Sequence, residues 1–302
     1  MEYLRIKIKP LTAFGTEPSS DTLFGQLCYT LSLMNEDMDN LLGNYSSEPF
    51  AVLSDFLPMG YALKPQLPTQ PDTQINIDKL SERKKLKNKN RLLVDDVVKT
   101  SCIENVVEPK WNTKLVDINH VHINRLSGFS GSGAFSPYKD MVYYYTSNDD
   151  SDFFFHLYMY VKNEFKNKVL DALNLMGKSG YGKKTSIGKG RFEVGNIETI
   201  NISISDKNSL FTLGNCVISN HNNLAENIYY TPVVRFGKHG VASSNGIPFK
   251  SPFVMTNQGA VFINIKDDTI FRKPYIGNAV TNISYQSNTI SQGYSLYIPF
   301  NY

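Results

Sequence analysis

The chain opens on a strict alternation in which Leu4, Ile6 and Ile8 are separated by Arg5, Lys7 and Lys9, and Pro10 follows. A period of two with one aliphatic and one basic face predicts a half-buried antiparallel strand that the proline ends. After the loop LTAFGTEPSSD, Ser20 or Asp21 can cap a helix whose apolar residues Leu23, Leu27, Leu31 and Met34 fall at i, i+4, i+8 and i+11. Strand-like segments follow at roughly 141–146 and 153–161. A second amphipathic helix then aligns Phe165, Val169, Leu173 and Met176, with Asn163 as its cap and Gly177 where a C-cap is expected. Arg191 to Val194, and then Ile200, Ile202 and Ile204, alternate with polar residues and predict a closing strand. The order is strand, helix, two strands, helix, strand, which is the ferredoxin-like order shared with RNA-recognition modules.

This order implies an α+β first domain over 1–204, with a long insertion at about 35–137 after the first helix. The insertion holds proline-rich turns (Pro58, Pro65, Pro68, Pro71) and the run SERKKLKNKNR, in which Arg83, Lys84, Lys85, Lys87, Lys89 and Arg91 face a single acid, Glu82. Such a run is either a solvated loop or an arm that neutralises phosphates. From 205 to 302 the pattern is mostly of short strands, such as IYYTPVVRF, AVFINI and YSLYIPF, and predicts a smaller, less regular second domain.

Composition narrows the class without naming a partner. Among 302 residues, 41% are hydrophobic and 20% charged, the balance of a globular protein. The net charge of +3 is too small to announce a polyanion, so a basic site must come from local clustering. Cys28, Cys102 and Cys216 form no CxxC pair, which argues against zinc and a disulfide framework and fits a reducing cytoplasm. The opening MEYLRIKIKP lacks the apolar core of a secretory signal, and no segment approaches a membrane span, so no membrane partner is expected.

The most informative chemistry lies in GKSGYGKKTSIGKGRF. It holds Gly177, Gly180, Gly182, Gly188 and Gly190, Lys178, Lys183, Lys184, Lys189 and Arg191, two aromatics (Tyr181 and Phe192), and no acid. Glycines allow close backbone approach, unencumbered N–H groups and lysines suit a phosphate chain, and aromatic rings can stack on bases. The spacing rejects a P-loop, because five residues separate Gly182 from Gly188 and Gly190 follows Lys189. A dinucleotide fingerprint fails too, since Gly180-Tyr181-Gly182 leads into Lys183, Lys184 and Thr185, and the loop follows a helix. No cofactor is expected.

Two further segments carry candidates. In HVHINRLSGFSG, His120 and His122 share one face of an extended chain beside Asn124 and Arg125. The histidines could be an acid–base pair for metal-independent RNA cleavage, two ligands of a metal with no obvious third, or polar contacts to RNA or turns. RFGKHGVASSNGIPFKSP gathers Arg235, Lys238, His239 and Lys250 without defined spacing. No nucleophile elbow, HExxH or paired-carboxylate pattern stands above background.

Four segments, in order, resemble the RAMP superfamily of CRISPR systems, and most closely the subunit of type III-A (Csm) effector complexes that caps the 5′ tag of crRNA. They are PLTAFGTEPSSDTLFGQLCY, HVHINRLSGFSGSGAFSPY, the glycine-rich loop, and RFGKHGVASS with FKSPFVMTNQGAVF. The loop is similar to that of the whole superfamily, whereas the SDTLF start with GKHG points to this subunit. The resemblance implies two ferredoxin-like (RRM-like) domains in tandem, the second degenerate. It also implies a non-catalytic role, with the crRNA 5′ tag, a large polymerase-palm subunit and a repeating backbone RAMP as partners. The tag would meet the loop residues, His120, His122, Asn124 and Arg125, the FG loop at Phe14 and Gly15, the helix start at Ser20 to Thr22, and Arg235, Lys238, His239 and Lys250. A crRNA-processing endoribonuclease on the same scaffold, with His120 or His122 as base, is the alternative.

Overall fold

The computed structural model describes residues 2–68, 88–131, 133, 136–149, 151–218, 224–239, 249–285 and 289–302. Strand β1 (Glu2–Pro10) buries Leu4, Ile6 and Ile8, as the alternation predicts. It sits inside a four-stranded antiparallel sheet with β2 (Ala51–Pro58), β8 (Phe155–Val161) and β9 (Phe192–Asn201), in the order β2-β8-β1-β9. Helix α1 (Ser20–Leu33) buries Leu23, Phe24, Leu27 and Leu31. A short helix α2 (Met38–Gly43), capped by the Asp37 side chain, follows it. The later helix α4 (Lys166–Ser179) buries Val169, Ala172, Leu173 and Met176. The chain order of sheet strands and long helices is thus strand, helix, strand, strand, helix, strand.

The second core strand is not the predicted one. It is β2, which lies inside the span assigned to the insertion, so the true excursion runs from β2 to β8. β2 escaped notice because nearly all of AVLSDFLP is buried and a continuous apolar run has no period-two signature. The excursion contains β3 (Tyr61–Leu63), β4 (Arg91–Leu93) and β5 (Val106–Val107) as one small sheet, and helix α3 (Val94–Thr100). It also contains β6 (Trp111–His120) and β7 (Tyr138–Ser147), a two-stranded ribbon ten residues long on each side. The strand predicted at 141–146 is β7, in the ribbon rather than the core sheet. Within the run 81–91, Arg83, Lys84, Lys85 and Lys87 lie outside the described residues.

The second half forms a five-stranded antiparallel sheet in the order β11-β14-β10-β16-β15. Its strands are β10 (Ser209–Thr212), β11 (Ala225–Tyr229), β14 (Val261–Ile265), β15 (Tyr275–Gly277) and β16 (Tyr294–Phe300). A hairpin of β12 (Pro232–Arg235) and β13 (Phe253–Thr256) stands beside it. If β15 is set aside, β11-β14-β10-β16 repeats the order of β2-β8-β1-β9. A 3-10 turn at Asp268–Arg272 lies between β14 and β15.

The boundary at 204/205 falls between β9 and β10, but the core does not stop there. Phe211, Leu213, Val261, Leu296 and Ile298 belong to the same buried cluster as Ile6, Leu53 and Leu157. The outer edge of β2 is met by a buried glutamine as well as by Leu213 O, which accepts from Asp55 N. Gln292 accepts from Leu53 N at 3.0 Å and donates to Leu53 O at 2.7 Å, as a neighbouring strand would. Gln258 donates to Leu213 O and to Asp55, and accepts from Leu63 N at 2.8 Å.

Candidate nucleic-acid interface

The glycine-rich loop leaves α4 and returns into β9, and much of its glycine content serves its own packing. Gly177 is not the helix cap; α4 continues to Ser179, and Gly180 ends it at φ +99°. A Cβ on Gly177 would come within 2.4 Å of the Phe192 carbonyl, so the glycine lets α4 lie directly on β9. Gly190, at φ +72°, is closer still to Tyr181, and Tyr181 N donates to Gly190 O at 2.9 Å to close the loop on itself. Gly188 also has positive φ, but open space surrounds it.

The loop is fastened to the FG loop that follows β1. Gly190 N donates to Ala13 O at 2.8 Å, and Lys183 N donates to the Thr16 hydroxyl at 3.1 Å. Gly15 and Gly182 complete this contact, Gly15 against the Lys183 backbone and Gly182 against Thr16. These two sequence-distant segments therefore form one surface.

Several predicted contact residues face inward instead. Phe14 is buried among Phe56, Tyr145, Phe155 and Tyr181. Tyr181 is buried as well, its hydroxyl bonded to Thr22 and to Glu17 O, and burial drives its pKa up. Neither ring is free to stack on a base, and Phe192 is likewise in the core. Ser20 is fully buried, with its N–H donating to Asp55 at 2.7 Å. The Asp55 side chain already occupies the helix start, which closes it to the expected contact with the tag. Thr22 bonds Ser19 O and Tyr181.

The lysines differ among themselves. Lys178, Lys183 and Arg191 are exposed, whereas Lys184 and Lys189 are half-buried. Lys184, held at φ +65°, reaches the β6–β7 ribbon, where it pairs with Asp140 at 2.9 Å and lies over the Tyr138 ring. Lys189 lies over Tyr144 of the same ribbon at 5.9 Å. Hydrogen bonding to Lys184 holds the Asp140 carboxyl below its usual pKa, helped by the charges of Lys184, His120 and Lys183, and the same bond raises Lys184.

Tyr138 is the meeting point. His120 stacks on it at 5.3 Å and 19°, and His122 meets it edge-on at 5.3 Å. His120 Nε2 is also 3.7 Å from Asp140. The histidine segment and the glycine loop, more than fifty residues apart, are thus joined at one place. Asn124 caps its own turn, accepting from Leu126 N at 2.9 Å, and Arg125 is exposed on that turn. Leu126 (99% exposed) and Phe129 (77%) make the turn unexpectedly apolar. Sequence reasoning missed Tyr138 and Asp140; their signal lay in the strand register that sets Tyr138 opposite His120.

The second basic segment divides differently. Arg235 pairs with buried Asp21 at 2.9 Å and donates to the Ser19 hydroxyl, so it clamps the β12–β13 hairpin to α1. His239 is buried against Ser284 and Tyr285, and Lys250 is half-buried with its pKa lowered by burial. Only Lys238 is exposed. Arg235 and His239 are therefore engaged within this chain, Arg235 on the α1 start and His239 on Ser284 and Tyr285. Among the described residues no cluster of His, Cys, Asp and Glu could hold a metal, and no helix is long and apolar enough to cross a membrane.

This architecture has known counterparts. A chain in the crystal structure of a Csm1–Csm4 cassette in complex with AMPPNP aligns with 100% of this chain and 98% of its own length, at TM-score 0.57 and 15% identity. A chain in the Csm3–Csm4 subcomplex of the type III-A CRISPR-Cas interference complex aligns over 100% of both chains, at TM-score 0.55 and 13% identity. Csm4 is the component common to both. The chain has the Csm4 fold. Another cassette structure, in complex with cA4, matches at TM-score 0.57 and 16% identity. No family model and no curated protein matches the sequence. The Csm likeness read from four short segments thus agrees with a fold shared over the whole chain.

Proposed function

We propose that this chain is a non-catalytic RNA-binding subunit of a type III-A CRISPR complex, holding the 5′ repeat-derived tag of crRNA. The observation that carries this reading is the joint at Tyr138, where the ribbon end bearing His120 and His122 meets the lysines of an acid-free loop. From Ala172 to Phe192 the sequence contains no Asp or Glu. Lys178, Lys183, Lys189 and Arg191 supply the phosphate-neutralising charge, and Asp140 holds Lys184 and His120 in position. The repeated strand order supports two ferredoxin-like units. Csm4 has been crystallised with Csm1 and, separately, with Csm3. Corresponding large and backbone subunits are the two partners that this chain would bridge.

The test is a salt titration of binding to single-stranded RNA carrying the repeat-derived 5′ end, with a scrambled 5′ end as control. Tight, tag-dependent binding that Lys183→Ala with Lys189→Ala weakens is the expected result. Equal affinity for both RNAs would sink the tag assignment, and unchanged salt dependence in the double variant would sink the site. The His120–Asp140 contact favours one rival, an endoribonuclease with His120 as base. Incubation with repeat RNA in chelator separates the two, because specific cleavage lost in His120→Ala would replace the binding role with a catalytic one.

A further inference from the structure

The β12–β13 hairpin carries an exposed face that no described part of the chain covers. Pairing runs from Pro232↔Thr256 to Arg235↔Phe253 and resumes as a bridge at Lys238↔Phe249. From Arg235 to Lys238 is three residues (238 − 235), but from Phe249 to Phe253 is four (253 − 249), so one side carries an extra residue. Such a bulge reverses the in–out alternation beyond it. It brings Phe249 to the outer face, beside Phe236 and in line with the cross-strand pair Val234 and Val254. The two phenyl rings lie parallel, 4.8 Å apart at 7°, with Phe236 57% and Phe249 45% exposed. Lys238 Nζ is 6.0 Å from the Phe249 centroid.

We propose that Phe236 and Phe249 form a platform on which an unpaired base of the bound RNA stacks; this rests on the RNA-binding role above. The two rings stack on each other with Lys238 over Phe249, and Phe236, the more exposed ring, offers a flat apolar face on which any base can lay its π-face. The electrostatics choose RNA as the occupant. From Asn227 to Lys266 the sequence contains no Asp or Glu but has Arg235, Lys238, Lys250 and Lys266. Lys238 lies over the Phe249 ring, within reach of the phosphate of a nucleotide stacked on the pair. The platform is also linked to the glycine loop through few residues. Arg235, next to Phe236, holds Ser19 and Asp21 of the α1 start, whose Thr22 holds Tyr181. One RNA strand reaching from the glycine loop to the hairpin would meet lysines at one end and rings at the other.

The experiment places 2-aminopurine at successive positions of a single-stranded RNA carrying the repeat-derived 5′ end, and follows its fluorescence on binding the full chain. One position should be strongly quenched. Phe236→Leu with Phe249→Leu should abolish that quench and weaken binding by about 5- to 150-fold, the equivalent of about 1–3 kcal/mol for one stacked base. Phe236→Trp should keep the quench and shows that the hairpin still folds. Lys183→Ala should weaken binding at every position and leave the quench intact once RNA is saturating. Wild-type chain that binds RNA without a quench dependent on these rings overturns the platform and leaves the RNA-binding role standing. Leucine variants that bind RNA normally but lose a protein subunit of the complex also overturn it and assign the face to that subunit. Absence of any RNA binding by the wild type overturns both.

Discussion

Residues 177–192 and 235–250 look alike in sequence, each a basic, glycine-containing segment with aromatic residues and no acid, yet they fold inside out with respect to each other. In the first, the aromatics Tyr181 and Phe192 at its end are buried, while Lys178, Lys183 and Arg191 project. In the second, Phe236 and Phe249 project, while Arg235 and His239 turn inward. The difference comes from what each segment packs on. The first crosses the apolar end of a helix–sheet layer, which draws in rings. The second lies over the polar α1 start, where Asp21 and Ser19 draw in a guanidinium. Clustered charge and aromatics therefore announce a polyanion site without saying which residue type meets the ligand.

The contrast can be probed hardest at Arg235. Arg235→Ala leaves the Asp21 carboxylate buried without its ion-pair partner, with the Asn215 side-chain amide at 3.2 Å and the more distant Lys250 charge to compensate. Breaking a buried pair costs about 3–5 kcal/mol, and the lower end applies because Arg235 is partly exposed. Thermal unfolding should show that loss. An unchanged Tm together with weakened RNA binding would return Arg235 to the ligand side of the comparison.

Next comes pH. Asp55 is densely surrounded, and burial raises its pKa to about 7, against the hydrogen bond from Ser20 N. Its folded pKa exceeds its unfolded one, so its contribution is complete below about pH 4 and is lost as pH rises through 7. His156 is shifted the other way, to about 4, by burial first and then by Arg5. Its contribution is complete above about pH 6.5 and is lost as pH falls towards 4. The two slopes oppose each other across one window. Asp55→Asn should therefore gain stability, relative to wild type, as pH rises from 4 to 7. A stability difference that stays constant with pH would show that Asp55 does not titrate there.

On the loop, the expected effects are on affinity and are smaller. Lys183→Ala with Lys189→Ala should reduce the salt slope of RNA binding by roughly 1.4, at about 0.7 for each phosphate contact on a single strand. Lys184→Ala should do less than Lys183→Ala, because Asp140 already neutralises Lys184. Asp140→Asn should weaken binding, because the carboxylate holds Lys184 and His120 in place. Stronger binding in Asp140→Asn would instead mean that the carboxylate only masks the Lys184 charge and positions nothing.

Legibility in the sequence followed exposure contrast. β1, α1 and α4 show their periods because each has one wet and one dry side, and they were read to within a few residues. β2 was invisible because both its sides are dry: one meets the helices, and Gln292 and the second half cover the rest. The loop's composition was readable, but its geometry was not. Gly15, Gly182 and Gly190 are explained by contacts with Lys183, Thr16 and Tyr181, two of them across a gap of more than 160 residues. The joint at Tyr138 needed the ribbon register, and the exposed ring pair needed a one-residue bulge that no local pattern announces.

Tyr181 offers the finest discrimination between a ring that supports a site and a ring that touches the ligand. Its hydroxyl bridges Thr22 and Glu17 O, tying the loop to the α1 start, while its ring packs on Phe14. Tyr181→Phe keeps the ring and removes the bridge, which should cost about 1 kcal/mol of stability. RNA affinity should hardly change, since the face of the ring is inaccessible. Phe236, of similar size and in a similarly basic context, should show the converse, with stability nearly unaffected by leucine and affinity reduced. Measuring both variants by thermal unfolding and by RNA titration gives a two-by-two result. If Tyr181→Phe lowers affinity as much as the leucine change at Phe236 does, the inside-out relation between the two segments does not govern binding, and the loop must open to admit RNA.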